Sequence, residues 1–380
     1  MLTTLAVENY RSLRDLVLPL ARLTLVTGAN GSGKSSLYRA LRLLADTSRN
    51  GAVAALAREG GLQSTLWAGP QYQPKGGGPV QGTVRRNPVA LRLGFGGDDF
   101  GYALDLGLPV PGSTQFNLDP EFKRECLWRG PVLRPSALLA DRHAGVVRAR
   151  AESGAWSSDQ HRIRLTDSML GEFAWPEVLL LRERIRSWRF YDQFRTDADA
   201  PARAMRIGTR TPMLAADGAD LPAALQTIRE TGDASGLDEA VADAFPGARV
   251  EVVNHDTRFG LRLHQPGLLR PLDAAELSDG TLRYLLLVAA LLTTRPPELL
   301  VLNEPETSLH PDLLPPLAAL VAAAARRTQV VVVTHAQPLV RAVEAVEPDA
   351  HTVELVKTES RTTVAGQGQL DRPSWHWPKR

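Results

Sequence analysis

The sequence predicts an α/β protein built on a parallel sheet and interrupted by a large insertion. Two observations carry this reading. Strand-like apolar runs alternate with helix-like segments at both ends of the chain, the pattern that lays helices on a parallel sheet. The middle, about residues 64 to 265, has a different character, without internal repeats or sustained heptads. With 380 residues, 43% of them hydrophobic, the chain can bury a sizeable core.

The elements follow in order. Leu2, Leu5, Val7, then Leu13, Leu16 and Leu18 alternate with polar residues, so two strands around a turn at Asn9 to Ser12 are expected. A third strand, Arg22 to Thr27, runs into a glycine-rich loop. A helix is predicted from Lys34 to about Leu44, with Leu37, Leu41 and Leu44 at helical spacing. A small helix over 51–62 ends at Gly60-Gly61, and 69–82 reads as a mobile loop rich in Gly, Pro and Gln. The stretch Thr83 to Leu108 reads as a hairpin with a Gly-Gly-Asp-Asp turn, and 109–160 as irregular. Helices are expected at 176–194, 220–231 and 236–244, followed by the hairpin-like pair ARVEVVNHD and RFGLRLHQP. A helix at Asp279 to Thr293, a strand at 299–303, a helix at 312–326 and a strand at 329–333 complete the pattern. The tail from Glu359 is polar and aromatic, with partial disorder expected.

Composition bounds the function only loosely. The formal charge is +2, which neither favours nor excludes a nucleic-acid partner. The single cysteine, Cys126, rules out a disulfide framework within the chain and reads as inert. No run approaches the roughly 18 to 20 apolar residues of a membrane span. The N-terminus lacks a basic-then-apolar signal layout. A cytoplasmic protein with no membrane partner is the expectation.

The sharpest motif is Gly28-Ala-Asn30-Gly31-Ser-Gly33-Lys34-Ser35, after a predicted strand and before a predicted helix. It fits the phosphate-binding loop in full. Glycines let the amides turn inward around phosphates, and the helix N-terminus adds partial positive charge. Lys34 reaches the β- and γ-phosphates in such a loop, and the Ser35 hydroxyl holds Mg²⁺. Ser36 follows at the first turn of the helix.

Three more motifs stand in a telling order. Leu299 to Glu304 (LLVLNE) is a buried strand ending in an acid, where Glu304 could orient and deprotonate water. VVVVTHA is a second buried strand, and His335 stands at its C-terminal end, where ligands bind in open α/β sheets. Leu277-Ser278-Asp-Gly280-Thr281 precedes an apolar helix. Ser278 can cap that helix, and Gly280 permits close backbone approach. The same residues can present amides to an anion; the motif alone leaves both readings open.

In this order the loop at 28–35, the 277–281 signature, the 299–304 strand, Ser308-Leu-His310 and His335 resemble the ABC ATPase family. NEPETSLHPDLL, SDGTLRYLLL and the opening NYRSLRDL resemble its soluble RecF/SMC-like branch, the AAA-type predicted ATPases. The resemblance covers about 1–68 and 270–345. It implies an α/β P-loop NTPase of the ABC ATPase head type, with a mixed sheet. The head would span 1–68 and 266–358, an inserted α/β lobe 69–265, and a polar tail 359–380. It further implies ATP and Mg²⁺ as cofactors and an ATP-dependent homodimer. Lys34, Ser35, Glu304 and His335 of one chain would meet Ser278 and Gly280 of the other. Arg11, in the opening hairpin, would lie near the nucleotide, and Gln63 would be the glutamine that touches Mg²⁺ and water.

One departure stands out. Where the family's metal-facing Asp precedes the catalytic Glu, this chain has Asn303. An amide can accept from a metal-bound water but lacks the charge, so low turnover is expected. Within the insertion, Arg182, Arg184, Arg186, Arg189 and Arg195 interleave with Trp188, Phe190, Tyr191 and Phe194. DNA contact would use them on phosphates and bases. A structural element would bury the aromatics and pair the arginines. Two functions therefore remain: a DNA-linked ATPase in repair or genome defence, and an ATP-driven switch gating a protein effector.

Overall fold

A computed structural model describes residues 1–49, 51–69, 90–151, 153–157, 161–368 and 370–380. Residues 70–82 of the expected mobile loop lie outside them. The chain forms two compact units, Met1–Ala21 with Thr27–Trp188 and Val353–Arg380, and Arg22–Val26 with Arg189–Thr352.

The first unit is organised by an antiparallel sheet. β1 (Leu2–Tyr10) and β2 (Leu13–Pro19) form the expected opening hairpin, pairing Leu5 with Leu18 and Val7 with Leu16. Asn9 and Arg11 take left-handed φ values of 61° and 50° to turn it. β1 also pairs with β4 (Leu91–Gly97), which continues through β5 (Phe100–Gly107), β6 (Glu121–Arg129), β7 (Leu138–His143), β8 (Val146–Ala149) and β9 (His161–Arg162). Helix α1 (Lys34–Thr47) buries Leu37, Leu41 and Leu44, the spacing that predicted it. The short α2 (Ala52–Arg58) and α3 (Gly61–Thr65) break at Gly60, whose φ is 94°. α4 (Met169–Glu172) and α5 (Pro176–Ser187) follow the sheet.

Two expectations are corrected in this unit. The stretch 109–160 is not irregular: β6, β7 and β8 run through it. The alternation that should have shown them is hidden, because Arg124, Glu125, Asp141 and Arg142 are buried along those strands. The tail is not loose. β17 (His351–Thr358) and β18 (Arg361–Val364) pair antiparallel, Arg372 pairs with Asp15 at 2.6 Å and Arg380 with Asp105 at 2.7 Å. Trp375 packs 5.7 Å from the buried Trp128 ring. A side chain at Gly94 would come within 2.7 Å of Trp375, so that glycine leaves room for the indole.

The second unit carries a parallel run in the order β10 (Arg189–Tyr191), β15 (Leu299–Asn303), β16 (Gln329–Val333) and β3 (Leu23–Thr27). β16 and the first four residues of β15 are fully buried, as strands covered on both faces should be. Helix α8 (Asp279–Leu291) buries every residue from Leu282 onward, and α9 (Leu314–Ala325) and α10 (Gln337–Val346) add apolar faces. α6 (Leu221–Thr231), α7 (Ala234–Ala244) and the hairpin β12 (Arg249–His255) and β13 (Arg258–His264) share this core. β11 (Arg206–Ile207) and β14 (Leu272–Asp273) pair with β13.

The helix expected over 176–194 stops at Ser187. Trp188 turns extended with ψ at 138°, and Arg189 to Tyr191 join β15 in parallel. An available sheet edge outweighs local helical pattern here. Among the described residues no helix is long and apolar enough to cross a membrane.

Candidate functional site

In the first unit, the glycine loop leaves β3 and enters α1. Gly28, Gly31 and Gly33 have φ of 139°, 79° and 112°, values that side-chain-bearing residues rarely adopt. A Cβ at Gly28 would sit 2.2 Å from Leu355 O, and one at Gly33 2.2 Å from Thr362 Oγ1. Glycine at 28 and 33 therefore lets the loop pack closely on β17 and β18. Lys34 Nζ donates to Gly28 O at 2.6 Å and Ala29 O at 3.1 Å, which holds the ammonium on the loop. Asn30 and Ser35 are exposed and Ser36 half-buried. A positive-φ glycine loop, an ammonium and a hydroxyl at a helix N-terminus make a donor set that fits a triphosphate with Mg²⁺.

The loop has a brace that sequence reading missed. Thr362, buried on β18, donates its hydroxyl to Ser32 O at 2.6 Å and lies 2.9 Å from Ser12 Oγ. Its amide donates to Ser12 O at 2.9 Å. Arg11, next to Ser12, is bound to Glu59: Nη2 and Nε reach Oε2 at 2.7 and 3.2 Å, and Tyr10 donates to the same oxygen at 2.7 Å. Gln63 is exposed on α3.

In the second unit, the parallel register brings the C-terminal ends of β10, β15, β16 and β3 level: Tyr191 faces Leu302, Asn303 faces Val333, and Val333 faces Val26. Glu304 turns out of the sheet with φ at 48°, an uncommon conformation for a long side chain and one that concentrates at functional sites. Its amide donates to Val333 O at 2.7 Å. His335 Nδ1 lies 3.4 Å from Glu304 Oε1 and 3.6 Å from Glu306 Oε1, so the two motifs meet. Glu306 is a second residue missed in the sequence. Its side chain is 7% exposed, and its Oε1 accepts from Thr334 Oγ1 at 2.5 Å and His335 N at 3.4 Å. Its Oε2 has no hydrogen-bond partner among the described residues.

Beneath these acids lies Arg283 of α8, 2% exposed. It donates to Glu304 O at 3.3 Å and Phe194 O at 3.5 Å. Burial lowers its pKa from the ordinary arginine value, while Glu306, Asp192 and Glu304 pull it back up. Asp192, directly after β10, accepts from Asn303 Nδ2 at 2.8 Å.

The signature loop has local explanations. Ser278 caps α8, its Oγ accepting from Thr281 N at 3.1 Å. A Cβ at Gly280 would lie 2.9 Å from Ser308 O, so glycine there admits the turn after Glu304. Arg203 gathers the loop: it donates to Ala274 O at 2.9 Å and Leu277 O at 2.7 Å and pairs with Asp279 at 2.8 Å. Ser278 remains exposed.

In the arginine–aromatic stretch, Arg189 and Phe190 are half-buried. Trp188, Tyr191 and Phe194 are buried. Arg184 pairs with Asp99 at 2.8 Å, Arg186 with Glu183 at 3.0 Å, Arg195 with Asp197 at 2.6 Å, and Arg182 donates to Gly171 O at 3.3 Å. Cys126 is buried, its thiol pushed up to about 12 chiefly by burial, which keeps it protonated.

Comparison with known proteins agrees with this reading of the fold. The chain resembles the crystal structure of an SMC head bound to the C-winged helix domain of ScpA (TM-score 0.52, 12% identity, 97% of this chain and 98% of that one). It also resembles the Smc head with an extended coiled coil from Pyrococcus furiosus, bound to the C-terminal domain of ScpA (TM-score 0.51, 11% identity, covering 96% and 95%). An OLD nuclease from Thermus scotoductus is 48% identical over 44 residues, a match that spans 12% of this chain and 8% of that protein. The fold is the SMC-head-like α/β P-loop NTPase. Residues 23–341 match the family described as "AAA domain, putative AbiEii toxin, Type IV TA system", and the chain belongs to that family of P-loop ATPases.

Proposed function

We propose that this chain binds ATP with Mg²⁺, hydrolyses it slowly, and closes head to head with a second copy while ATP is bound. Two independent constructions, one in each unit, support this reading. One is a phosphate-loop motif whose glycines hold φ of 139°, 79° and 112° at the start of α1. The other is Glu304 held at a strand end with φ at 48° beside His335. The loop binds the phosphates through Gly28, Asn30, Gly31, Gly33, Lys34 and Ser36, and Ser35 takes the metal. Glu304 accepts the proton of the attacking water, and His335 senses the γ-phosphate. Mg²⁺ supplies charge neutralisation between the phosphates.

Ser278 and Gly280 serve the partner's nucleotide in the closed dimer. Ser278 is free to do so because its cap leaves it on the surface. Gln63, exposed on α3, is the glutamine we assign to Mg²⁺ and the attacking water. Arg11 approaches the nucleotide only by leaving Glu59. The head of 1–68 and 266–358, the lobe of 69–265 and the tail of 359–380 remain our functional division of the chain.

The biological task we infer is genome defence or DNA repair, in keeping with the family's description and the OLD nuclease match. The second reading, a switch that gates a separate protein effector, gains from Arg184, Arg186 and Arg195 of the arginine stretch, each paired with a carboxylate. The solved SMC heads bound to domains of ScpA also show heads of this fold docking a separate protein.

Glu304→Gln keeps the shape and removes the base, so the variant should accumulate as an ATP-dependent dimer in light scattering. Lys34→Ala should abolish both ATP binding and that dimer. A strict monomer of Glu304→Gln with ATP and Mg²⁺ overturns the sandwich. Hydrolysis that rises with added DNA favours the first task, and hydrolysis indifferent to DNA the second.

A further inference from the structure

The charge that Asn303 lacks is present one strand away. β10 runs parallel to β15 with Tyr191 opposite Leu302, so the next residues, Asp192 and Asn303, stand level on neighbouring strands. Asp192 Oδ1 accepts from Asn303 Nδ2 at 2.8 Å. A carboxylate only accepts, so this bond fixes which end of the amide is which. The Asn303 carbonyl oxygen is turned away from Asp192, and Asp192 keeps its second oxygen. Both residues lie at the C-terminal end of the parallel strands, the end at which open α/β sheets bind ligands.

We propose that Asp192 supplies the carboxylate facing the hydrated Mg²⁺ of bound ATP, with Asn303 contributing a neutral oxygen beside it. Sidestepping the charge by one strand moves it by about 4.8 Å, the spacing of neighbouring strands. That distance suits a contact through metal-bound water. Mg²⁺ held with nucleotide takes one or two carboxylates plus phosphates and water. This agrees with the described residues, among which no three His, Cys, Asp or Glu form a metal cage of their own. The Asp192–Asn303 hydrogen bond makes the pair one unit. Its amide positions the acid, much as outer partners orient ligating carboxylates.

This inference rests on the proposed ATP binding, and the test separates the two. ATP affinity is measured by calorimetry with and without Mg²⁺, alongside melting temperature, for the native chain, Asp192→Asn, and the exchange Asp192→Asn/Asn303→Asp. The native chain should bind ATP more tightly with Mg²⁺. Asp192→Asn should lose that gain by about tenfold or more, the usual cost of removing a supporting carboxylate, while Mg²⁺-free affinity stays at the native value. The exchange should restore the gain, because the charge returns to the neighbouring strand. Full retention of the Mg²⁺ gain in Asp192→Asn overturns the inference alone. So does a lowered melting temperature with no recovery of the gain in the exchange, which assigns Asp192 to neutralising Arg283. A native chain that binds no ATP overturns the proposed function itself.

Discussion

Each unit buries an acid–arginine network, and the two are built differently. In the first, Glu125 and Arg142 are both fully buried and paired at 2.5 Å. Glu125 accepts from Tyr102 and Ser168 on one oxygen and from Arg142 and Met169 N on the other. Arg142 donates to the carbonyls of Ala144, Asp167 and Arg164. In the second, Arg283 leaves Nε and Glu306 leaves Oε2 without a partner among the described residues. A buried network that satisfies every member rigidifies a core, whereas an incomplete one stores electrostatic strain. The first network holds β6, β7 and α4 together. The second sits under Glu304 and His335. Of these two networks, only the one under Glu304 and His335 leaves polar atoms without a partner among the described residues.

The same substitution placed in both networks tests this contrast. Glu125→Gln should have the largest effect, about 3–5 kcal/mol of lost stability, as when one partner of a buried pair is removed. The amide has one acceptor oxygen for donors that now use two, so its NH₂ must face an N–H or O–H. Chemical denaturation followed by circular dichroism reads this directly. A cost below about 1 kcal/mol would mean that the first network is not the satisfied one described.

Gly280→Ala comes next, at about 1–3 kcal/mol, the range for overpacking a tight contact. Its new Cβ would meet Ser308 O at 2.9 Å in the same chain. The loss should therefore appear in nucleotide-free protein. A native-like melting curve combined with lost ATP-dependent dimerisation would instead place the whole role of Gly280 across the dimer.

Glu306→Gln should cost least, about 1 kcal/mol. Its oxygen can keep the Thr334 and His335 donors, and its NH₂ takes the place of the partnerless Oε2. A cost equal to that of Glu125→Gln would erase the comparison.

The phosphate loop was legible because its chemistry is local. Gly28, Gly33 and Lys34 act through backbone φ and chain adjacency, which eight consecutive letters display. The strands at 299–303 and 329–333 were legible too, since burial on both faces leaves an uninterrupted apolar run. β6 and β7 were not, because charged residues are buried on both of their faces: Arg124 beside Glu125, and Asp141 beside Arg142. Such residues look like surface until their partners are known.

By itself the sequence determined the motifs: a P-loop, an acid at Glu304 and a histidine at the next strand end, each short and fixed by local geometry. Only the tertiary structure decided who stands beside them. β10 is a strand because β15 offers it an edge, and that pairing alone sets Asp192 against Asn303 across 111 positions of chain. Thr362 reaches Ser32 from 330 residues away, and Arg203 reaches Leu277 from 74. Hydrogen bonds and ion pairs act over a few ångströms whatever the separation along the chain. One sequence can name the groups that need partners, and folding selects the partners.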